Sequence, residues 1–193
     1  MLTKLDLKDR YHLIRMRKSD EHETTISTRY RQYEYKVMPF TLVNAPATFQ
    51  TMMDKVLREF LHHGVVVYLD GILIYSENSA DHSSLVQKVL DRLEQHDLAV
   101  SLKKLVFHQD EVEFRGYIVK TSGVTMSDRK VKIVQNWAHP RSVKELQSFT
   151  GFANFYRRFM KDFSKLLKPI TETLKGNPKD FHWGREQEEA LRS

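Results

Sequence analysis

Two aspartates stand where strand pairing could make their carboxylates work together. Asp6 closes the alternating stretch "LTKLDL" at residues 2–7, and Asp70 lies between the apolar runs of "VVVYLDGILIYS" at residues 65–76. Asp-Gly between two such runs is a strong hairpin signal, which predicts a turn at Asp70-Gly71. Antiparallel pairing of the first strand with this hairpin would bring the carboxylates together. Without a cation they would repel, and one would be pushed toward its neutral form. Around Mg²⁺ they make chemical sense, because one or two carboxylates plus substrate phosphates form its usual shell. A two-ion site of this kind activates a hydroxyl and stabilises in-line displacement at phosphorus. The spacing is equally that of a strand-end Asp and an unrelated turn Asp, so both readings stand at this level.

The elements that must position these residues follow from pattern. "TTISTRYRQYEYKVMPF" (24–40) is rich in β-branched and aromatic residues and predicts a strand pair turning near Tyr30 to Gln32. Asn44 precedes Ala45-Pro46, an N-cap with proline in the first turn. Phe49, Met52, Met53, Val56, Leu57 and Phe60 then recur at helical spacing, up to a stop at Gly64. A second amphipathic helix is predicted from Asp81 to His96, with Leu85, Val89, Leu90 and Leu93 on one face. Three short strands are predicted over 98–126, broken at Gln109-Asp110 and Ser122-Gly123. Beyond Ser127 the pattern is helical: Asp128 to Trp137, then a helix from Ser142, whose Ser-x-x-Glu with Glu145 is a capping box. Gly176-Asn177-Pro178 breaks the chain again. Within "FANFYRRFMKDFSKLLK", Phe152, Phe155, Tyr156, Phe159 and Phe163 fall on one helical stripe, expected to be core, while Arg157, Arg158, Lys161, Lys165 and Lys168 fill much of the remainder. The order is that of an α+β domain with an antiparallel sheet and helices on one face, followed by a helical region.

Composition limits the function classes. The chain has 193 residues, 40% hydrophobic and 29% charged, enough for a core and a polar surface. It contains no apolar run of about 18 residues, the length needed to span a bilayer, so no membrane association is expected. Charges at positions 4, 6, 8, 9 and 10 exclude the apolar core of a signal peptide. The absence of cysteine excludes disulfides and thiolate metal sites and fits an intracellular location. The nine histidines show no paired ligand spacing, so no zinc site is expected. The net charge of +6 is uneven: residues 1–100 carry 13 Lys+Arg against 14 Asp+Glu, and residues 101–193 carry 18 against 11. A basic second half is compatible with binding a phosphate backbone, and also with an ordinary basic surface.

Longer motifs narrow the choice. "KLDLKDRYHLIRM", "YEYKVMPFTLVNAPATFQ" and "VVVYLDGILIYS" resemble, in order and spacing, the polymerase motifs of reverse transcriptases from gypsy-like LTR retrotransposons. The resemblance continues through "LKKLVFHQDEVEFRGYIV" and "VKELQSFTGFANFYRRFMKDFSKLLKPITETLK", covering nearly the whole chain. It implies a polymerase palm with partial fingers at 1–125, a helical thumb-like region at 126–180, and the start of a linker toward an absent RNase H domain at 181–193. It also implies RNA-directed DNA polymerase activity with two Mg²⁺ (or Mn²⁺) ions, dNTPs, and an RNA or DNA template with primer. By the same resemblance Asp6 and Asp70 are the catalytic, metal-binding carboxylates, and Leu7 offers a backbone carbonyl to one ion. Tyr11, Phe40, Thr41 and Lys104 would line the nucleotide site. Tyr11 would pack under the incoming sugar and Lys104 would face the leaving pyrophosphate, although a core tyrosine and a solvated lysine are the plain alternatives. Phe114, Gly116 and Tyr117 resemble the primer grip. The exposed cations Arg157, Arg158 and Lys161 are the candidate contacts to a nucleic-acid backbone.

Three departures from the family pattern bear on activity. Gly71 stands where the hairpin's second aspartate would be. It removes a carboxylate and, by its tolerance of positive φ, is expected to suit the turn. Thr41 stands where the family has glycine, adding bulk beside the nucleotide pocket. The chain starts at the strand carrying Asp6, without the family's upstream fingers strands, so an N-terminally truncated fragment is expected, with its first strand exposed as an edge. Two functions follow: a polymerase fragment of impaired activity, or a catalytically inactive, vestigial or repurposed palm–thumb module that binds nucleic acid.

Overall fold

The structure is a computed structural model that describes residues 1–175 and 181–192. The predicted break at Gly176-Asn177-Pro178 lies outside the described residues. The chain divides by packing into two units: Met1–Phe114 with Val119–Gly123, and Arg115–Ile118 with the chain from Val124 onward.

The first unit is built on a four-stranded antiparallel sheet. Its strands are β1 (Leu2–Asp6), β4 (Val65–Tyr68), β5 (Gly71–Tyr75) and β6 (Val106–Gln109), in the spatial order β4-β5-β1-β6. The first strand was expected to be an edge. Instead β1 is interior, flanked by β5 and β6, and the edges are β4 and β6. The expected strand pair at 24–40 shrinks to β2 (Ile26–Ser27) and β3 (Gln32–Tyr33), both exposed. Polar and charged residues between the aromatics leave that segment no face to bury.

Register explains the sheet's two faces. In β1 against β5, Thr3 sits opposite Ile74 and Leu5 opposite Ile72, while Lys4 sits opposite Leu73 and Asp6 opposite Gly71. Side chains alternate between faces along a strand, so each cross-strand pair shares one. The face of Leu5, Ile72 and Ile74 packs against helices α1 (Ala45–Val56) and α2 (Ser79–Gln95) through Phe49, Met53, Val86, Val89 and Leu93. Each such buried side chain stabilises the unit by about 1.5–3 kcal/mol. The opposite face, carrying Leu2 and Leu73, is covered by Val112 and Phe114 of β7 (Glu111–Phe114) and by Val119. The segment 98–126 holds four strands where three were predicted: β6, β7, β8 (Tyr117–Lys120) and β9 (Gly123–Met126), the last three pairing in sequence order.

The helix ends also depart from expectation. Asn44 precedes α1 but makes no side-chain cap, and α1 stops at Val56, well before Gly64. Helix α2 begins two residues earlier than predicted, where the Asn78 side chain accepts the Asp81 N–H at 2.8 Å.

The second unit contains α3 (Asp128–Gln135), α4 (Val143–Phe155), α5 (Phe163–Glu172) and α6 (Arg185–Arg192). Leu146, Phe149, Ala153 and Ile170 form its centre, with Trp137, Phe163 and Leu167 packed around them. The predicted capping box forms in part: Ser142 Oγ accepts the Glu145 N–H at 3.3 Å, and the Glu145 carboxylate accepts from the Arg141 amide rather than from that of Ser142. Residues 181–192, read from sequence as the start of a linker, fold against this same core through Phe181, Trp183, Ala190 and Leu191. Trp183 Nε1 and His139 both bond the Glu188 carboxylate. No helix among the described residues is long and apolar enough to cross a membrane.

One core histidine was not anticipated. His82 of α2 is fully buried, with Nε2 at 2.7 Å from Thr3 Oγ1 and Nδ1 at 3.0 Å from Ser76 Oγ. Burial lowers its pKa from the ordinary 6.5, aided by the facing His108 ring and the N-terminal ammonium, which donates to the Ser76 carbonyl. The folded state therefore prefers neutral His82, while the unfolded chain takes up a proton near pH 6.5. Urea-unfolding stability should hold above that pH and fall as the pH drops below it toward the folded-state value. His82→Gln should flatten this acid limb, and an unchanged limb would show that other groups set it.

Candidate active site

The β1–β5 register brings the two candidate carboxylates to one end of the sheet. Asp6 is the last residue of β1 and pairs with Gly71, and the Leu7 N–H donates to the Asp70 carbonyl at 2.8 Å. Tyr68 also pairs with Gly71, so the loop residues are Leu69 and Asp70, not Asp70 and Gly71 as the dipeptide suggested. The expectation that Gly71 serves the turn through positive φ is overturned: Gly71 is the first residue of β5, and the left-handed residue is Leu69, with φ 53°. A leucine in that region costs about 1–2 kcal/mol and persists only where its surroundings hold it.

Gln50 is what holds it. Projecting from α1, its Oε1 accepts the Leu69 N–H at 2.7 Å. Its Nε2 donates to the Val67 carbonyl at 3.3 Å and to Asp54 Oδ1 at 2.8 Å. One side chain thus anchors both the turn and the strand that enters it. Sequence reasoning missed Gln50, because a glutamine one residue past a core phenylalanine carries no sign of a long-range partner.

Both carboxylates are nearly enclosed, Asp6 at 14% and Asp70 at 8% side-chain exposure, and both have internal cations. Lys104 Nζ lies 3.6 Å from Asp6 Oδ2, which places this predicted residue at the site. Arg10 Nε lies 2.7 Å from Asp70 Oδ2, a contact that sequence reasoning did not foresee. Arg10 reaches Asp70 from a turn in which Asp9 and Arg10 both adopt left-handed φ, 56° and 41°. Aspartate tolerates this region, but arginine gives no sign of it.

Residues expected from the resemblance to line a nucleotide site also lie together. The Tyr11 ring, half-buried, lies 5.1 Å from that of Phe40 and 5.5 Å from that of Phe49, and His12 lies 4.9 Å from Phe40 on its other side. Phe40 is 54% exposed and Thr41 is exposed, so this aromatic wall faces outward.

The predicted primer-grip residues take different positions. Phe114 belongs to the first unit and is buried against Leu2, Leu73 and Val112, where it acts as packing rather than as a surface contact. A Cβ built at Gly71 would come within 3.1 Å of its ring, so the space vacated by the missing side chain is occupied by Phe114. Gly116 and Tyr117 belong to the second unit. There Gly116 has φ 84° and lies close under the Tyr156 hydroxyl, 3.2 Å from its Cβ position. Tyr117 stacks on Phe155 at 5.2 Å and touches Phe159 at 5.6 Å.

The continuous aromatic and basic helix predicted across Phe152–Lys168 does not form. Helix α4 ends at Phe155, Arg157–Phe159 make a 3-10 turn, and α5 starts at Phe163. Tyr156 is buried as expected for core, but Phe155 and Phe159 are 52% and 38% exposed. Arg157, Arg158 and Lys161 are exposed as predicted, on the turn and the segment after it rather than on a helix.

Residues 1–119 match the reverse transcriptase (RNA-dependent DNA polymerase) family. The chain belongs to that family. It is 40% identical over 174 residues to the retrovirus-related Pol polyprotein from transposon opus of Drosophila melanogaster, a match that covers 90% of this chain and 17% of that protein. It is 39% identical over 183 residues to the transposon Tf2-3 polyprotein of Schizosaccharomyces pombe, covering 95% of this chain and 14% of that one. Among solved structures it is similar to the foamy viral protease-reverse transcriptase in complex with RNA/DNA hybrid, with a TM-score of 0.86 and 28% identity over 98% of this chain and 26% of that one. The same enzyme in complex with double-stranded DNA gives a TM-score of 0.90 at 27% identity, covering 33% of that chain. The chain thus spans a small part of the relatives it matches. The retrotransposon reverse transcriptase resemblance and the α+β palm expected from sequence are both borne out.

The Gln50 anchor predicts a specific loss. Gln50→Ala should destabilise the first unit by about 1–3 kcal/mol through the orphaned Leu69 amide. Gln50→Met, which keeps length and packing but not the acceptor, should lose nearly as much, and a Gln50→Met chain as stable as the unaltered one on urea unfolding would show that packing, not the hydrogen bond, is what Gln50 supplies.

Proposed function

We propose that the chain is the palm and thumb-like portion of an RNA-directed DNA polymerase, binding a primed RNA or DNA template and dNTPs, with chemistry impaired at the hairpin. The observation that carries this reading is the register that sets Asp6 opposite Gly71 with Asp70 beside it. The foamy viral neighbours solved with RNA/DNA hybrid and double-stranded DNA support nucleic acid as the partner.

Two carboxylates and the neighbouring Leu7 carbonyl fit a hard, oxygen-preferring cation. Among the described residues no group of three or more acidic or histidine side chains could hold a metal, so this set offers one protein ligand fewer than the family hairpin would. When bound to Asp6, Asp70 and Leu7, Mg²⁺ or Mn²⁺ would supply activation of the primer hydroxyl and charge stabilisation at the phosphate, with two ions expected for the family. Lys104 would counter negative charge developing on the leaving pyrophosphate. Tyr11, backed by Phe49, would form the wall beneath the sugar, with Phe40 and Thr41 at its rim.

A second reading, a nucleic-acid-binding module without polymerase activity, is favoured by Gly71 and by the cation already seated on Asp70. Primer extension on a poly(A)–oligo(dT) template with Mg²⁺ or Mn²⁺ separates the two. Weak extension that Gly71→Asp raises by on the order of 10²-fold supports the polymerase reading. Because the new side chain must displace the Phe114 ring, Gly71→Asp combined with Phe114→Leu should exceed Gly71→Asp alone. Bound primer–template with no extension by any of these chains would favour the module.

Binding has its own test. Affinity for primer–template should fall steeply with salt, and Arg157→Ala/Arg158→Ala/Lys161→Ala should reduce the slope of log K against log salt by about two to three. Salt-insensitive binding would remove the basic turn from the interface.

A further inference from the structure

We propose that Arg10 is an internal counter-ion that competes with a divalent cation for Asp70, so that metal loading requires the guanidinium to leave the carboxylate. This rests on reading Asp6 and Asp70 as a metal-binding pair. The contact is charge-assisted and short, with Arg10 Nε 2.7 Å from Asp70 Oδ2. It joins a carboxylate that is 8% exposed to a guanidinium that is 46% exposed, so the cation reaches the buried oxygen from the solvent side and has room to withdraw.

The backbone around Arg10 is built to make this contact. Asp9 and Arg10 occupy the left-handed region in succession, and the Arg10 N–H donates to the Lys8 carbonyl at 2.6 Å in a tight turn. Two consecutive L-residues in that region are strained, and the ion pair joins the backbone hydrogen bonds from Lys8 to Ala99 and from His12 to Asp9 in holding the turn. Lys104 meets Asp6 at the same end of the sheet, so two carboxylates face two cations and the pair is neutralised without metal. A divalent ion arriving at Asp70 meets a guanidinium of like charge already on Oδ2. The protein therefore folds without needing a metal at this position, and the metal binds against an internal competitor.

The experiment uses the full chain and Mn²⁺ alone, read by electron paramagnetic resonance of free Mn²⁺ and by calorimetry. Arg10→Gly removes the guanidinium and suits the left-handed backbone. Arg10→Gln removes the charge while keeping a shorter polar chain, and carries the test if the glycine variant does not fold. Both should bind Mn²⁺ about tenfold more tightly than the unaltered chain, the change expected when a competing contact worth about 1.4 kcal/mol is lost. Adding Asp70→Asn to Arg10→Gly should abolish the gain. Unchanged or weaker Mn²⁺ binding in the folded Arg10 variants, with primer–template binding retained, would overturn the counter-ion role and leave the polymerase reading standing. If Asp70→Asn alone binds Mn²⁺ as tightly as Arg10→Gly, the metal-pair reading itself fails.

Discussion

The pairing of β1 with β5 is the constraint on which the first unit depends. Five consecutive residue pairs, from Leu2 with Tyr75 to Asp6 with Gly71, set which side chains face the helices and which face β7. A slip of β1 by one residue would move Leu5 out of the core and turn Asp6 into it. Both faces are buried, one under Phe49 and Val89 and the other under Phe114, so neither can move without exposing apolar surface. The position of Asp6 beside Asp70 is a by-product of that packing, and the hydrogen bond from the Leu7 amide to the Asp70 carbonyl closes the arrangement.

The same alternation separates stability from chemistry. Thr3, Leu5 and Leu7 point toward the helices, while Leu2, Lys4 and Asp6 share the other face, so one strand supplies the core and the site from opposite sides. A change on the charged face leaves the helix-facing core intact. Gly71 shows this: its side-chain position opens toward the Phe114 ring, 3.1 Å away, rather than toward the helices. This accounts for a chain that keeps the reverse transcriptase fold while lacking a hairpin carboxylate.

Much of this was legible in the sequence, for reasons that differ by residue. The strand of Asp6, the hairpin, α1 and α2 announced themselves through hydrophobic periodicity, which reports burial directly. Spacing alone left Asp6 and Asp70 open as a pair; the resemblance joined them and placed Lys104 near them. The turn was misread because Asp-Gly is a local signal, whereas the loop is set by the pairing of Tyr68 with Gly71 and held by Gln50 from another element. The helix across Phe155–Phe163 was misread because its periodicity continues through a real break at Arg157–Phe159. Arg10 was invisible because its contact depends on an arginine in the left-handed region, which that side chain does not announce.

Electrostatics connects the lost carboxylate to the gained contact. A nearly buried pair of carboxylates is unfavourable unless cations are close, and a third would deepen the need. A site with three carboxylates leans on bound metal for that charge. With glycine at 71 the demand drops to two, which Arg10 and Lys104 can meet from within the chain. The two features are consistent with each other: with fewer carboxylates at this end of the sheet, the cations within the chain suffice to balance them. In this arrangement the chain's own cations supply the counter-charge at the two carboxylates, Arg10 at Asp70 and Lys104 at Asp6.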